Sequence, residues 1–247
     1  MDIHQGIQAT SDHERILFGA VREPFGSNLD RWHCSARPEN YNSNFFMPLD
    51  ALTRRDVQSA VAFQKQQGIS EVMFSTTQPV DPDVFAGYTC DEYAAHVMAL
   101  LSDQSHLWQT NAAVEIRDIQ THDVSAEMLD VSRASASHRD AVRRDMQLAL
   151  TIAKAHPEYH WYCACMDGKH VGGAYAVEHN GFVVMDDLWV TEEYQHRKIA
   201  TTILKHIVDH TDGIVCLHAA TTATPKDMYA RMGFEIVETV HEYYLEW

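Results

Sequence analysis

Three strand-like runs placed end to end constrain this chain more than any other feature. Residues 159–166, 170–179 and 182–190 are rich in aromatic and β-branched side chains, and Asp167-Gly168 and Asn180-Gly181 separate them. Such residue pairs supply the positive φ angles that two-residue hairpin turns require. The segment therefore predicts an antiparallel meander.

The pattern around it fills in a mixed sheet. Residues 113–119 alternate apolar and polar, as a half-buried strand does. Val142, Met146, Ala149, Leu150 and Ala153 recur at helical spacing, and Pro157 forbids continuation. After the meander, Ile199, Ala200, Ile203, Leu204, Ile207 and Val208 mark an amphipathic helix closed by Gly213. Residues 214–218 make a short apolar strand. Thr224-Pro225-Lys226-Asp227 reads as a helix start, with Thr224 capping, Pro225 at the first helical position and Asp227 completing a variant capping box. That helix ends at Gly233, and two short strands, 234–237 and 242–245, finish the chain. A meander followed by helix, strand, helix and strands predicts an α/β (α+β) fold, a mixed sheet with helices on its faces. The helix beginning after residue 196 follows a turn that leaves a strand, so its free backbone N–H groups offer an anion site.

Two segments then carry a family resemblance. Asp186-Asp187-Leu188-Trp189-Val190-Thr191-Glu192-Glu193-Tyr194-Gln195-His196-Arg197-Lys198-Ile199-Ala200-Thr201 resembles the fourth strand and pyrophosphate loop, Q/R-x-x-G-x-G/A, of the GNAT family of acetyl-CoA-dependent N-acetyltransferases. Tyr229-Ala230-Arg231-Met232-Gly233-Phe234 resembles that family's Y-x-x-x-G-F. The resemblance covers residues 113–247. It implies a GNAT fold and direct transfer of an acetyl group from acetyl-CoA to a primary amine, of a small molecule or a protein.

It also implies roles for individual residues. Gln195, His196, Arg197, Lys198, Ile199, Ala200 and Thr201 would wrap the diphosphate at a helix start. Backbone groups of Leu188, Trp189 and Val190 would pair with the pantetheine arm and the thioester carbonyl, where an N–H stabilises the developing oxyanion. Tyr229 would be the acid that protonates the departing thiolate, and Asp186 the base that takes a proton from the amine. Asp186 and Asp187 point to opposite faces of an ideal strand. Asp186 shares the face of Leu188 and Val190 unless a bulge intervenes, and Asp187 stays open as its alternative. Two positions depart from the family pattern: Lys198 stands where glycine is usual, and Thr222 where asparagine is frequent.

Composition limits the competing classes. At 247 residues the chain suits one large or two modest domains, and a chain of this size buries about 70% of its unfolded surface without needing disulfides or metals. The net charge is −16, with 7 basic and 14 acidic groups in residues 1–112 and 12 and 21 in residues 113–247. Neither half has the positive field that nucleic-acid phosphates demand. No apolar run approaches the roughly 20 residues of a membrane helix. Five cysteines with no CxxC, and no signal segment at the start, point to a reducing, cytoplasmic setting. Sixteen histidines form no HExxH and no Cys-plus-His spacing, so no metal is expected.

Residues 1–112 form a separate domain in this reading. Residues 56–67 predict a helix ended by Gly68, residues 71–75 a strand, and Phe85-Ala86-Gly87-Tyr88 precedes a further segment to Leu101. That order repeats 199–245, so a degenerate GNAT-like half is expected there, shaping the acceptor cleft. Against the enzyme stand a non-catalytic acyl-CoA-binding module, an acyltransferase using a longer donor, and a protein-interaction adaptor. The oligomeric state and the acceptor are not written in these residues.

Overall fold

The computed structural model describes residues 2–37, 43–102, 104–122, 139–223 and 225–247. The expected cap Thr224 and the side chain of Val142 lie outside that description. The elements in order are α1 (Ile3–Leu17), β1 (Val21–Phe25), β2 (Leu29–His33), β3 (Phe45–Pro48), α2 (Arg54–Gln66), β4 (Glu71–Thr76), β5 (Thr89–Ala99), β6 (Glu115–Asp118), α3 (Arg139–Ala155), β7 (Tyr159–Met166), β8 (Lys169–His179), β9 (Phe182–Val190), α4 (Ile199–His210), β10 (Ile214–Ala220), α5 (Pro225–Arg231) and β11 (Glu235–Glu246). Single 3₁₀ turns lie at Pro82–Phe85, Ser105–Leu107 and Glu192–Tyr194.

The chain divides into two compact units that interleave along the sequence. One comprises 1–14, 98–218 and 227–235; the other comprises 15–97, 219–226 and 236–247. They differ from the division at 112/113 that the sequence suggests. The physical reason is strand pairing: the C-terminal strand β11 hydrogen-bonds to β4, from His241↔Thr76 to Glu246↔Glu71, and so folds with early residues.

In the first unit the meander is present. The β7–β8 and β8–β9 pairs are antiparallel, and β6 adds antiparallel to β7. Asp167, Gly168, Asn180 and Gly181 all have positive φ, between 51° and 82°, the backbone that twisted two-residue hairpins need. β10 then pairs parallel to β9, with α4 as the crossover. Helix α4 buries Ile199, Ile203, Leu204 and Ile207, all 0–1% exposed. Each such side chain removed from water contributes on the order of 1.5–3 kcal/mol. Helix α3 runs up to Ala155, two residues before Pro157, and buries Met146, Ala149, Leu150 and Ala153.

The second unit orders its strands β1-β2-β3-β4-β11-β5. β1, β2 and β3 are antiparallel neighbours, and β3 pairs parallel to β4 across the α2 crossover. Its core joins Leu29, Phe46, Val57, Val61, Phe74, Phe85, Tyr243 and Leu245. β11 is one twelve-residue strand rather than the two short strands expected, because it lies hydrogen-bonded between β5 and β4, with β4 pairing to its last six residues.

Candidate active site

The geometry begins where two parallel strands part. The β9–β10 register runs from Phe182↔Ile214 to Met185↔Leu217 and goes no further, although β9 continues to Val190. On its other edge β9 stays paired to β8 as far as Gly172↔Val190. Beyond Met185, β9 therefore turns one edge of backbone N–H and C=O groups away from any partner on β10. Such groups need hydrogen bonds, and an extended ligand can supply them as an added strand does.

A bulge lies at the same point. The β8–β9 register passes from Tyr175↔Asp186 to Gly173↔Trp189, so three steps on β9 match two on β8, and Asp187 sits at φ 48°. The bulge corrects the face assignment read from simple alternation. Asp186 falls on the face of Trp189, not on that of Val190, since an extra residue flips the side chains that follow. The crowded side of the bulge is accommodated by Gly172 and Gly173. A Cβ on Gly172 would lie 2.7 Å from the Trp189 carbonyl oxygen, and one on Gly173 would lie 2.8 Å from that of Tyr162.

Asp186 is half-buried and Asp187 exposed. The Asp186 carboxylate accepts from the Asp187 backbone N–H at 2.7 Å and from the Tyr175 hydroxyl at 3.4 Å. Tyr229 on α5 is 6% exposed, with its ring edge-to-face on Phe234 at 5.8 Å. Burial first, and the nearby Asp186 charge second, push its phenol up to about 12. The structure thus brings Asp186 and Tyr229 into electrostatic reach of each other, and leaves Asp187 on the outer side of the bulge. Thr222 is an exposed turn residue.

The segment expected to hold a diphosphate leaves β9 through the turn at Glu192–Tyr194. Gln195, His196, Arg197 and Lys198 are exposed, Ile199 is buried, and Ala200 and Thr201 are half-buried at the start of α4. His196 and Lys198 both adopt left-handed backbone, φ 61° and 62°. Lysine therefore stands in the conformation that glycine would take without strain. Lys198 is the N-cap of α4 and makes no side-chain capping bond, so the first N–H groups of the helix have no cap from that side chain. Its ammonium donates to Gln109 Oε1 at 2.5 Å, and the Arg197 guanidinium lies 5.1 Å from the Tyr194 ring centroid.

Two sets of residues escape a reading of the sequence alone. Asn111 buttresses the loop, donating from its side chain to the Arg197 carbonyl and from its backbone to Thr202 Oγ1, both at 3.0 Å. Tyr175 contacts Asp186 from the neighbouring strand. No motif marks Asn111; the Gly172-Gly173 pair is the signal that something packs closely beside Tyr175. Among the described residues no three His, Cys, Asp or Glu side chains converge as a metal site.

Comparison with known proteins bears on the same stretch. Residues 157–236 match the family model described as the acetyltransferase (GNAT) domain. A search of curated proteins gives no match. Among solved structures, a functionally unknown conserved protein from Staphylococcus epidermidis ATCC 12228 has TM-score 0.73 at 17% identity, covering 94% of this chain and 96% of that one. A GCN5-related N-acetyltransferase from Kribbella flavida has TM-score 0.62 at 11% identity, covering 100% and 96%. A tandem GNAT protein from the clavulanic acid biosynthesis pathway has TM-score 0.58 at 14% identity, covering 97% and 95%. At these identities the likeness is one of fold. Sequence match and fold coincide between β7 and β11: residues 157–236 match the GNAT acetyltransferase domain, and the chain shares its fold with solved GNAT acetyltransferases.

Proposed function

We propose that the protein transfers an acetyl group from acetyl-CoA to a primary amine at the point where β9 leaves β10. The observation that carries this is the end of the β9–β10 register at Met185↔Leu217, immediately before the bulge at Asp187, together with the action of the Asp186 charge on the buried Tyr229 phenol. Backbone groups of Leu188, Trp189 and Val190 hold the pantetheine arm and thioester. The segment Gln195, His196, Arg197, Lys198, Ile199, Ala200 and Thr201 holds the diphosphate, with two cationic side chains and the start of α4, where the Lys198 side chain makes no capping bond, behind it.

Asp186 takes one proton from the ammonium form of the acceptor and later returns it to solvent. The free amine nitrogen bonds to the thioester carbon as the C–S bond breaks. Tyr229, protonated throughout the neutral range, gives its proton to the departing sulfur and regains one from the new amide nitrogen. The products are the amide, CoA thiol and one released proton.

A second reading is favoured by one observation. A phenol held near 12 is a weak acid toward a thiolate whose own pKa is near ~8.5, so Tyr229 could serve packing in a non-catalytic acyl-CoA-binding module. Calorimetry with CoA, and thiol release from acetyl-CoA in the presence of a primary-amine panel, decide between them for the wild type and Tyr229→Phe. The enzyme reading expects release to fall about 100-fold or more in Tyr229→Phe with CoA binding retained. Equal release from both proteins removes Tyr229 from the chemistry.

We also read residues 15–97 as a degenerate GNAT-like half. Its order of meander, parallel crossover through α2 and later strand follows that of β7 to β11, with the 3₁₀ turn Pro82–Phe85 standing where α5 stands there, and the tandem GNAT likeness supports it. There the α2 start is closed by a capping box between Thr53 and Asp56, so the diphosphate site is assigned to α4 alone. Five free cysteine thiols support a reducing, cytoplasmic location.

A further inference from the structure

We propose that Tyr175 is a positioning residue that aims the Asp186 carboxylate at the acceptor amine. The inference rests on the reading of Asp186 as the base. Asp186 is the last residue of β9 in register before the bulge. Its two oxygens are met separately. Oδ1 accepts from the Asp187 amide created by the bulge, at 2.7 Å, and Oδ2 accepts from the Tyr175 hydroxyl, at 3.4 Å.

Tyr175 is well placed for this. It is the direct cross-strand partner of Asp186 in the β8–β9 register. Its ring stacks on Tyr159 of β7 at 5.6 Å, with planes 12° apart, so the hydroxyl is presented from a rigid support. Tyr159 itself is 1% exposed. A carboxylate offers about four acceptor positions, so two contacts restrain rotation and still leave lone pairs for a substrate proton. A base displaced by an ångström loses much of its effect, which makes such restraint worth having.

The charged and titratable groups around the pair come from four other positions. The Asp186 charge acts on Tyr229 of α5, while Glu14 of α1, Asp187 of β9 and Tyr159 of β7 act on Tyr175. Burial, then the charges of Asp186 and Glu14, raise the Tyr175 phenol well above its ordinary range. Tyr175 therefore remains a donor across the pH range of catalysis.

The test follows the Asp186 carboxyl by NMR in protein carrying ¹³C-labelled aspartate, with Asp186→Asn assigning the signal, in wild type and Tyr175→Phe. Tyr175→Phe retains the stacked ring, and Tyr159→Phe serves as a control for packing. A hydrogen bond to the ionised form favours it, so Tyr175→Phe should raise the proton affinity of that carboxyl about threefold, at the weak end for such a bond. The acid limb of kcat/KM for acetyl transfer to a panel of alkylamines, diamines and amino-acid amides should move to higher pH with it, and Tyr159→Phe should move neither. An unmoved Asp186 titration, with Asp186→Asn inactive, overturns the positioning role and leaves the base standing. Full acetyl transfer by Asp186→Asn overturns the base and the positioning role together.

Discussion

The His160 imidazole lies 2.8 Å from the Asp118 carboxylate, Nδ1 to Oδ2, joining β7 to the last residue of β6. Nε2 is 3.8 Å from Glu178 on β8, and the ring stacks on Tyr162 at 5.7 Å. Burial alone would depress this histidine. The Asp118 hydrogen bond and the charges of Asp118, Glu178 and Glu158 outweigh it, and the pKa rises above 6.5.

The native state therefore binds this proton more tightly than the unfolded chain does. The stabilisation is complete below about pH 6.5 and is lost as pH rises through the higher native value. His160→Asn should cost on the order of 1 kcal/mol more at about pH 5.5 than at about pH 9. Urea unfolding at the two pH values measures this, and equal losses would show that the pair holds no differential charge.

Gly173→Ala tests the close approach of β8 to β7 and to the Trp189 ring. The added Cβ would meet the Tyr162 carbonyl oxygen at 2.8 Å and Trp189 Nε1 at 3.2 Å. The first contact is backbone inside a paired strand, which has no rotamer to change. Overpacking of this kind costs about 1–3 kcal/mol. Gly181→Ala meets nothing within 4 Å and bears only the strain of its φ of 82°, about 1 kcal/mol. Denaturant midpoints should rank Gly173→Ala below Gly181→Ala, and the reverse order would mean that β8 yields freely at this point.

Local chemistry made the first unit legible. Asp167-Gly168 and Asn180-Gly181 encode two turns by backbone preference, and the Ile199, Ile203, Leu204 and Ile207 spacing encodes α4; both signals lie within a few residues. Periodicity also located α2, though its true start comes two residues earlier, at the Thr53–Asp56 capping box. What depended on distant pairing was not legible. β1 and β2 gave no signal because charges interrupt their short runs, and β3 gave none because it is four residues long and ends on Pro48. β11 looked like two strands because Glu238 and Thr239 interrupt the apolar pattern, and the neighbouring strand β5, whose His96 meets Thr239, is distant in sequence.

The candidate site divides the same way. Tyr229 and the 195–201 segment are readable as contiguous motifs. The face taken by Asp186 is not, because one left-handed residue at Asp187 inverts the alternation on which that assignment rests. Tyr175 and Asn111 enter only through contacts made by other segments.

Lys198→Gly separates backbone strain from charge in the loop before α4. Lysine at φ 62° bears a left-handed penalty of about 1 kcal/mol that glycine escapes, while its exposed bond to Gln109 contributes little in return. Lys198→Ala removes the same charge and the same contact but retains the Cβ. The ligand-free Lys198→Gly protein should therefore melt a few degrees above Lys198→Ala, as about 1 kcal/mol gives 2–4 °C at this chain length. Both variants should bind CoA more weakly than wild type by a similar factor, since each loses one cation beside the proposed diphosphate. Calorimetric melting and CoA titration measure the two effects independently. Identical melting temperatures would show that the loop relaxes around either residue; unchanged CoA affinity in both would show that the ammonium stays on Gln109 and never reaches the phosphates.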